Sequence, residues 1–187
     1  MTIYTIGHSQ TRIGRFLELL GLCQMERLIA SRSQPYSRWA AQFSREPLKA
    51  SLQQAHMAYV YGGDALGDRP HDPAYKLPNG KVDDERLAQA PMSLRDLQRL
   101  KQEAQERRIA VMCSAADYRQ CHRNGLMSRA LVADGVDVQH IWHAGEWALT
   151  PPHAFAAAVD QLRLFSDRST APTGVASRAS SIDADRQ

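Results

Sequence analysis

The sequence predicts a Rossmann-like α/β fold, a three-layer parallel sheet with helices on both faces. Short segments of β-branched, aromatic and aliphatic residues alternate along the chain with segments of helical periodicity, which is typical of this class. Residues 109–112 form a continuous apolar run, as expected of a strand buried on both faces of a parallel sheet. With 187 residues, 43% of them hydrophobic, we expect a single α/β domain over residues 1–165.

The pattern predicts five strands, each bounded by turn or helix signals. The first alternates β-branched and aromatic residues and stops at Gly7, and the fourth is the apolar run that ends at Cys113. The predicted strands are residues 2–6, 27–30, 57–61, 108–113 and 136–142.

Helices are predicted between these strands from apolar spacing and end signals. Ile13, Phe16, Leu17 and Leu20 follow the i, i+3, i+4, i+7 pattern of a helix that ends at Gly21. Asp117 with Gln120 three residues later resembles a capping box, and Gly135 is a stop signal. The further predicted helices are residues 46–56, 93–107, 117–135 and 152–165.

Two segments are predicted to lack regular structure. Residues 62–90 are rich in Gly, Pro, Asp and Asn and are too long for a plain connection, which is typical of a lid, a binding loop or a disordered insert. Residues 166–187 are rich in Ser, Ala, Thr and Asp and contain almost no large apolar side chain. They predict a disordered C-terminal tail.

Charge and composition limit the partners that we expect. The net charge is +3, from 23 basic and 20 acidic side chains, which does not support a broad nucleic-acid-binding face. No apolar run is long enough to span a membrane, and no signal peptide is visible, so we expect a cytoplasmic protein without membrane contact. Three cysteines do not suggest a disulfide framework. The sequence indicates neither a cofactor nor an oligomeric state.

In open parallel sheets the ligand lies beyond the carboxyl ends of the strands. Three polar segments follow predicted strand ends here, at residues 7–9, 31–38 and 113–123, and we expect them to meet. The candidate catalytic residues are Cys113 and His122. The candidate ligand-binding residues are His8, Ser9, Arg32, Ser37, Arg38, Cys121 and Arg123.

Cys113 is the leading candidate nucleophile because it ends a buried strand and precedes a predicted helix, whose N-terminus would stabilise a thiolate. The alternative is a small core residue, a common use of free cysteine. His122 is either an acid–base group or an exposed helix residue. Arg123 shares the inward face of its helix, where it needs either an anionic ligand or a buried carboxylate.

The cysteines could also belong to a metal site or to a phosphatase-like anion site, and the sequence favours neither. No metal site is predicted, because seven residues separate Cys113 from Cys121 and no short Cys or His ligand pair accompanies them. The Cys113-x5-Arg119 spacing is that of thiol phosphatases and rhodanese-like enzymes, which cradle an oxyanion above a thiolate. This segment has no glycine to expose its amides, and Asp117 would repel a phosphate.

Several motifs occur together in a characteristic order. They are TIGHS at residues 5–9, Arg32-x2-Pro35-x-Ser37-Arg38, RIAVMC at residues 108–113, C-x7-C-H-R at residues 113–123 and HIW at residues 140–142. In these motifs the chain resembles a bacterial family known as domain of unknown function 488. The resemblance implies a Rossmann-like α/β fold with the motifs gathered at one site. It implies no established reaction.

Two departures from the family pattern concern carboxylates. The family usually has D-V-R where this chain has Ala30-Ser31-Arg32, and C-x-E where it has Cys113-Ser114-Ala115. If these carboxylates act as acid or base, the activity is lost here or another acidic side chain supplies it. The candidates for that replacement are Asp64, Asp68 and Glu146. The basic residues are present and the acidic ones are not, which favours an anionic ligand.

The sequence therefore predicts a protein that binds or acts on a small anionic ligand, such as a nucleotide or a nucleic-acid fragment, at the carboxyl ends of its strands. The alternative is a non-catalytic ligand-binding or interaction module derived from such an enzyme, which the absent carboxylates support. Whether the protein is an enzyme is left open by the sequence.

Overall fold

A computed structural model describes residues 1–67, 69–70, 72–142 and 148–149. Its central feature is a six-stranded sheet of order β3-β2-β4-β1-β5-β6. The strands are Thr2–Gly7 (β1), Arg27–Ala30 (β2), Ala58–Tyr61 (β3), Ile109–Cys113 (β4), Asp137–Trp142 (β5) and Ala148–Leu149 (β6). The first five pair in parallel and β6 pairs antiparallel with β5, so the predicted parallel α/β fold is confirmed and an edge strand is added.

Short and medium helices connect the strands. The α-helices are Ile13–Leu22 (α1), Arg45–Gln54 (α2), Gly63–Leu66 (α3), Asp84–Ala88 (α4), Pro91–Glu106 (α5) and Arg129–Ala133 (α6). Single 3₁₀ turns occur at Ala41–Phe43, Pro73–Tyr75 and Tyr118–Gln120, and residues Arg123–Ser128 form a π-helix. The predicted loop 62–90 thus contains α3, one 3₁₀ turn and α4.

The core lies on both faces of the sheet, because successive side chains of β4 point to opposite faces and pack in two different clusters. Ala110 and Met112 pack in one cluster with residues of α1 and α2, whereas Ile109 and Val111 pack in another with residues of α5, the π-helix and α6. All four side chains are fully buried, because helices cover both sides of this central strand. The three-layer arrangement predicted from the apolar run is confirmed.

The predicted helix 117–135 is wrong in its first half. Asp117 accepts a hydrogen bond from the Arg119 amide and caps only a 3₁₀ turn, after which Cys121 is in extended conformation. The chain then forms the π-helix and reaches α-helical geometry only at Arg129. π-Helical turns are rare in proteins, and those that do occur are often found at functional sites. Cys113 therefore does not lie directly before a helix N-terminus.

Some predictions concern residues outside the described ranges. These are the helix 152–165, the tail 166–187 with the C-terminal part of the 1–165 domain, and the candidate carboxylates Asp68 and Glu146. Within the described residues, no helix has the length and apolar character needed to cross a membrane.

Candidate functional site

Three strand ends meet at the carboxyl edge of the sheet. Gly7 of β1 pairs in register with Cys113 of β4, and Ala30 of β2 pairs with Met112. Backbone hydrogen bonds extend these pairings past the strands, from His8 N to the Cys113 carbonyl over 2.9 Å and from Ser31 N to the Met112 carbonyl over 2.9 Å. The three polar segments that follow the strands are thereby held side by side.

A cavity of about 150 Å³ opens between these segments. It is lined by His8, Arg32, Ser33, Gln34, Tyr36, Ser37, Arg69, Cys113 and Ser114. Arg69 comes from the long loop, where its amide donates to Ser33 Oγ over 3.0 Å and its Nη1 donates to Gln34 Oε1 over 3.1 Å. The loop 62–90 thus supplies one wall of the cavity.

The Arg32 guanidinium is buried at the cavity wall, with 6% of the residue exposed. Its Nη1 contacts His8 Nε2 at 3.1 Å and its Nη2 donates to the Phe43 carbonyl over 2.5 Å. Among the described residues it forms no ion pair, and its Nε has no hydrogen-bond partner. Burial lowers the pKa of Arg32, but a guanidinium stays protonated at any physiological pH. Arg32 is therefore a buried cation without a carboxylate.

His8 supports Arg32 as a neutral ring. Its Nδ1 lies 2.8 Å from the Ser9 carbonyl, which can only accept, so Nδ1 carries the proton. Since Arg32 can only donate, Nε2 is the acceptor in that contact. The ring also stacks on Phe43, with centroids 4.4 Å apart. The positive charge at this wall is consequently that of Arg32.

Two thiols and an imidazole form a second cluster directly behind the cavity. His122 Nδ1 lies 3.6 Å from Cys113 Sγ and 3.7 Å from Cys121 Sγ, and the three atoms are all within 4.8 Å of one another. The hydrogen bond from Cys113 lowers the pKa of Cys121, and Arg123 lowers it further. The same hydrogen bond, together with burial, raises the pKa of Cys113. The Arg123 Nε–H group, 3.4 Å from Cys121 Sγ, favours the thiolate form of Cys121.

Arg123 belongs to this thiol cluster and does not line the cavity. It is 1% exposed, its Nε donates to Cys121 Sγ over 3.4 Å and its Nη2 donates to the Ala115 carbonyl over 2.6 Å. Neither of the partners expected from the sequence, a carboxylate or a ligand in the cavity, matches this geometry. The group beside the Arg123 charge is the sulfur of Cys121.

The other predicted residues lie around the cavity at different distances. Ser37 lines it, and its hydroxyl accepts from the Ala40 amide over 3.0 Å. Ser9, in left-handed conformation with φ 46°, donates its amide to the Ser114 carbonyl and is not part of the lining. Arg38 is exposed and also lies outside the lining.

The Cys113-x5-Arg119 interpretation gains no support from the contacts of Arg119. The Arg119 guanidinium forms a two-point contact with Asp117, Nε to Oδ1 and Nη2 to Oδ2, each 3.0 Å long. Its side chain is 66% exposed. In a phosphatase-like site the arginine would face the anion above the thiol. Here the Nε and Nη2 groups of Arg119 donate to the Asp117 carboxylate instead.

Several residues of the site were not predicted from the sequence. Ser31 contacts His122 through its hydroxyl, and Phe43 stacks on the His8 ring. Arg69 lines the cavity. Asp84 of α4 is half-buried, burial raises its pKa, and the charges of His122 and Cys121 act on it. Asp84 is accordingly an acidic neighbour of the thiol cluster. In the sequence, the acidic run at residues 83–85 was a weak indication of the role of Asp84. Nothing in the sequence around Phe43 indicated that it belongs to the site.

The comparisons with known proteins bear on the family alone. No curated protein and no solved structure matches this chain significantly. The family model of DUF488, a domain of unknown function, matches residues 12–130, well over half of the chain. The TIGHS and HIW segments lie outside the matched range, whereas Arg32, Cys113, Cys121, His122 and Arg123 lie inside it. The chain therefore belongs to the DUF488 family.

Proposed function

We propose that this protein binds a small anionic ligand through the cavity at the carboxyl edge of its sheet. The observation that carries the proposal is the buried Arg32 guanidinium, whose Nε faces no protein acceptor among the described residues. Leaving a charge buried without a counter-charge is costly, and proteins with such a group pair it or use it. An anion in the cavity would supply the missing partner.

The charges of the lining favour the same kind of ligand. Arg32 and Arg69 are cationic, His8 is neutral, and the residues described around the cavity include no carboxylate. Ser33, Ser37 and Ser114 add hydroxyl groups that can donate to oxyanions. Arginine matches phosphate and carboxylate oxygens with its planar fork, so a phosphate-bearing group fits this set well.

The cavity volume limits how much of a ligand enters. Pockets for whole drug-sized ligands measure about 300–1,000 Å³, and this one measures about 150 Å³. A phosphate or similar oxyanionic head group fits inside, and the rest of a nucleotide would lie outside. The small net charge of +3 does not add support for a long nucleic-acid strand.

Cys113 lines the same cavity, which keeps two versions of the proposal distinct. In the first version, the protein is an enzyme in which the Cys113 sulfur acts on the bound ligand. In the second, it is a binding module that holds the ligand without turnover. Replacing Cys113 with Ser separates them, because only the enzyme loses a measured conversion while both keep ligand-induced stabilisation.

The binding proposal is tested by thermal melting in the presence of phosphate, sulfate and a series of nucleotides. A ligand at a hundred times its Kd stabilises by about 2.7 kcal/mol, and a chain of this size then melts roughly 5–10 °C higher. Arg32→Met is expected to abolish the shift, while the matched control Arg38→Met keeps it, since Arg38 lies outside the cavity. An unchanged shift in folded Arg32→Met would overturn the proposal.

A further inference from the structure

The thiol cluster brings together side chains from two parts of the chain, Cys113 from one and the consecutive residues Cys121 and His122 from the other. Cys113 ends β4, Cys121 lies in an extended stretch after a 3₁₀ turn, and His122 precedes the π-helix. Their ligand atoms Sγ, Sγ and Nδ1 all lie within 4.8 Å of one another. The break in the predicted helix makes this possible, because an α-helix from Asp117 would carry Cys121 and His122 in successive positions around its axis.

The distances in the cluster fit a tetrahedral metal ion. Zinc binds Cys sulfur at about 2.3 Å and His nitrogen at about 2.0–2.1 Å, and tetrahedral angles then place sulfur and nitrogen roughly 3.6 Å apart. The observed separations of His122 Nδ1 from Cys113 Sγ and Cys121 Sγ are 3.6 and 3.7 Å. The two nitrogen–sulfur distances are close to the edge of such a tetrahedron, and the two sulfur atoms lie within 4.8 Å of each other, so the three atoms can surround one ion.

The opposite ring nitrogen of His122 is held as in metal-binding histidines. Ser31 Oγ donates its single proton to the Met112 carbonyl over 3.0 Å. Toward His122 Nε2, 3.4 Å away, Ser31 can then only accept. This contact selects the tautomer with the proton on Nε2 and the lone pair on Nδ1, between the two sulfurs. Metal ligands of this type usually donate their other nitrogen to an oxygen acceptor.

We propose that Cys113 Sγ, Cys121 Sγ and His122 Nδ1 bind a Zn²⁺ ion at the rear of the anion cavity. Thiolate and imidazole donors in tetrahedral arrangement select zinc among the common divalent ions. Three protein ligands leave a fourth position, which is the pattern of catalytic zinc sites. Because Cys113 also lines the cavity, that position is open to water or to a ligand entering there.

The charges around the cluster suit a metal with two thiolates. Two thiolates cancel the charge of Zn²⁺, and the Arg123 Nε–H group then serves as a hydrogen-bond donor to the Cys121 sulfur, 3.4 Å away. The buried guanidinium of Arg32 still has no compensating charge among the residues that the structure describes. A metal in this place and an anion in the cavity are therefore compatible. The metal site goes beyond the proposed function and rests on a different set of side chains.

The proposal is tested by titrating the reduced full-length protein with Zn²⁺ and with Co²⁺ as a spectroscopic probe. We expect one ion per chain, and thiolate-to-cobalt charge-transfer absorption together with the intense visible bands of tetrahedral Co²⁺. Cys113→Ser and Cys121→Ser should each reduce the charge-transfer band and weaken binding strongly. Cys23→Ser is the matched control, since Cys23 is also a free, buried cysteine but lies outside the cluster.

A second variant keeps the test decisive if a ligand substitution prevents folding. Ser31→Ala retains all three ligands and removes the hydroxyl that accepts from His122 Nε2 and donates to the Met112 carbonyl. The Zn²⁺ affinity should then fall by roughly 10- to 100-fold with unchanged stoichiometry. Arg32→Met should leave zinc binding intact, which separates failure of this proposal from failure of the anion proposal. The absence of Zn²⁺ and Co²⁺ uptake by the reduced wild type would overturn the metal site. Equal affinity in wild type and Cys121→Ser would also overturn it.

Discussion

The substitution Gly7→Ala tests how closely the end of β1 approaches the functional site. A Cβ atom at position 7 would lie 1.7 Å from the Ala115 carbonyl oxygen, 2.7 Å from the Ala115 carbonyl carbon and 2.9 Å from Arg123 Nη2. Ordinary contact begins at 3.4 Å, so the Ala115 oxygen would have to move by 3.4 − 1.7 = 1.7 Å. That movement breaks its 2.6 Å hydrogen bond with Arg123.

The expected loss of stability follows from these contacts. A hydrogen bond to a charged group contributes about 1.5–3 kcal/mol, and forcing an extra carbon into a packed region costs about 1–3 kcal/mol more. Gly7→Ala should therefore destabilise by about 2.5–6 kcal/mol, which for a chain of this size lowers Tm by about 5–20 °C. Thermal and urea unfolding of the purified variant measure the change.

The matched control is Gly14→Ala in the first turn of α1. A Cβ at Gly14 meets nothing within 4 Å, and alanine favours helix over glycine by up to about 1 kcal/mol. The same chemical change is thus expected to leave stability equal or slightly higher there. If Gly7→Ala unfolds within 1 °C of Gly14→Ala, the close approach of Gly7 to Ala115 does not constrain the protein, and the reasoning above fails.

Two further predictions concern a buried histidine and the exposed ion pair. Burial, and secondarily Arg123, lowers the pKa of His140 from 6.5 to about 3. Between pH 6.5 and pH 3, His140 is therefore protonated in the unfolded chain and neutral in the folded chain. The free energy of unfolding is highest above pH 6.5 and decreases as the pH falls toward 3. His140→Gln should flatten the fall between pH 6 and pH 4 by up to about 1.4 kcal/mol per pH unit in urea unfolding, and parallel curves would contradict this. Arg119→Ala should leave the melting temperature nearly unchanged, because an exposed ion pair contributes little to stability, and should leave the phosphate-induced melting shift intact. Loss of that shift would restore Arg119 to the anion site.

Local sequence patterns predict a large part of the fold, as residues 109–112 and the apolar spacing of the helices show. A continuous apolar run can only be satisfied by cover on both faces, so β4 and the layers around it follow from the sequence. The inward direction of Arg123 follows in the same way from its spacing to Leu126 and Met127, and Arg123 is indeed buried. The gathering of polar segments at one edge follows from parallel strand order.

The partners of those side chains are set by contacts between distant segments, which local pattern does not encode. A capping box was predicted at Asp117, but its carboxylate also pairs with Arg119, and the chain forms a 3₁₀ turn and an extended residue in place of helix. That change of backbone brings Cys121 toward Cys113 in spite of their wide spacing. The phenylalanine behind His8 and the arginine of the long loop reach the site from other parts of the chain.

From its sequence alone, this protein is an α/β chain of the DUF488 family with basic and thiol side chains collected beyond its strands. Apolar periodicity determines this much, because the burial of nonpolar surface depends on spacing within a single element. The tertiary structure decides that Arg32 faces a cavity in which the described residues offer no counter-charge, while Arg123 contacts the Cys121 sulfur. Electrostatic and hydrogen-bond pairing acts over a few ångströms between residues far apart in the chain, and only the folded arrangement specifies which groups come that close.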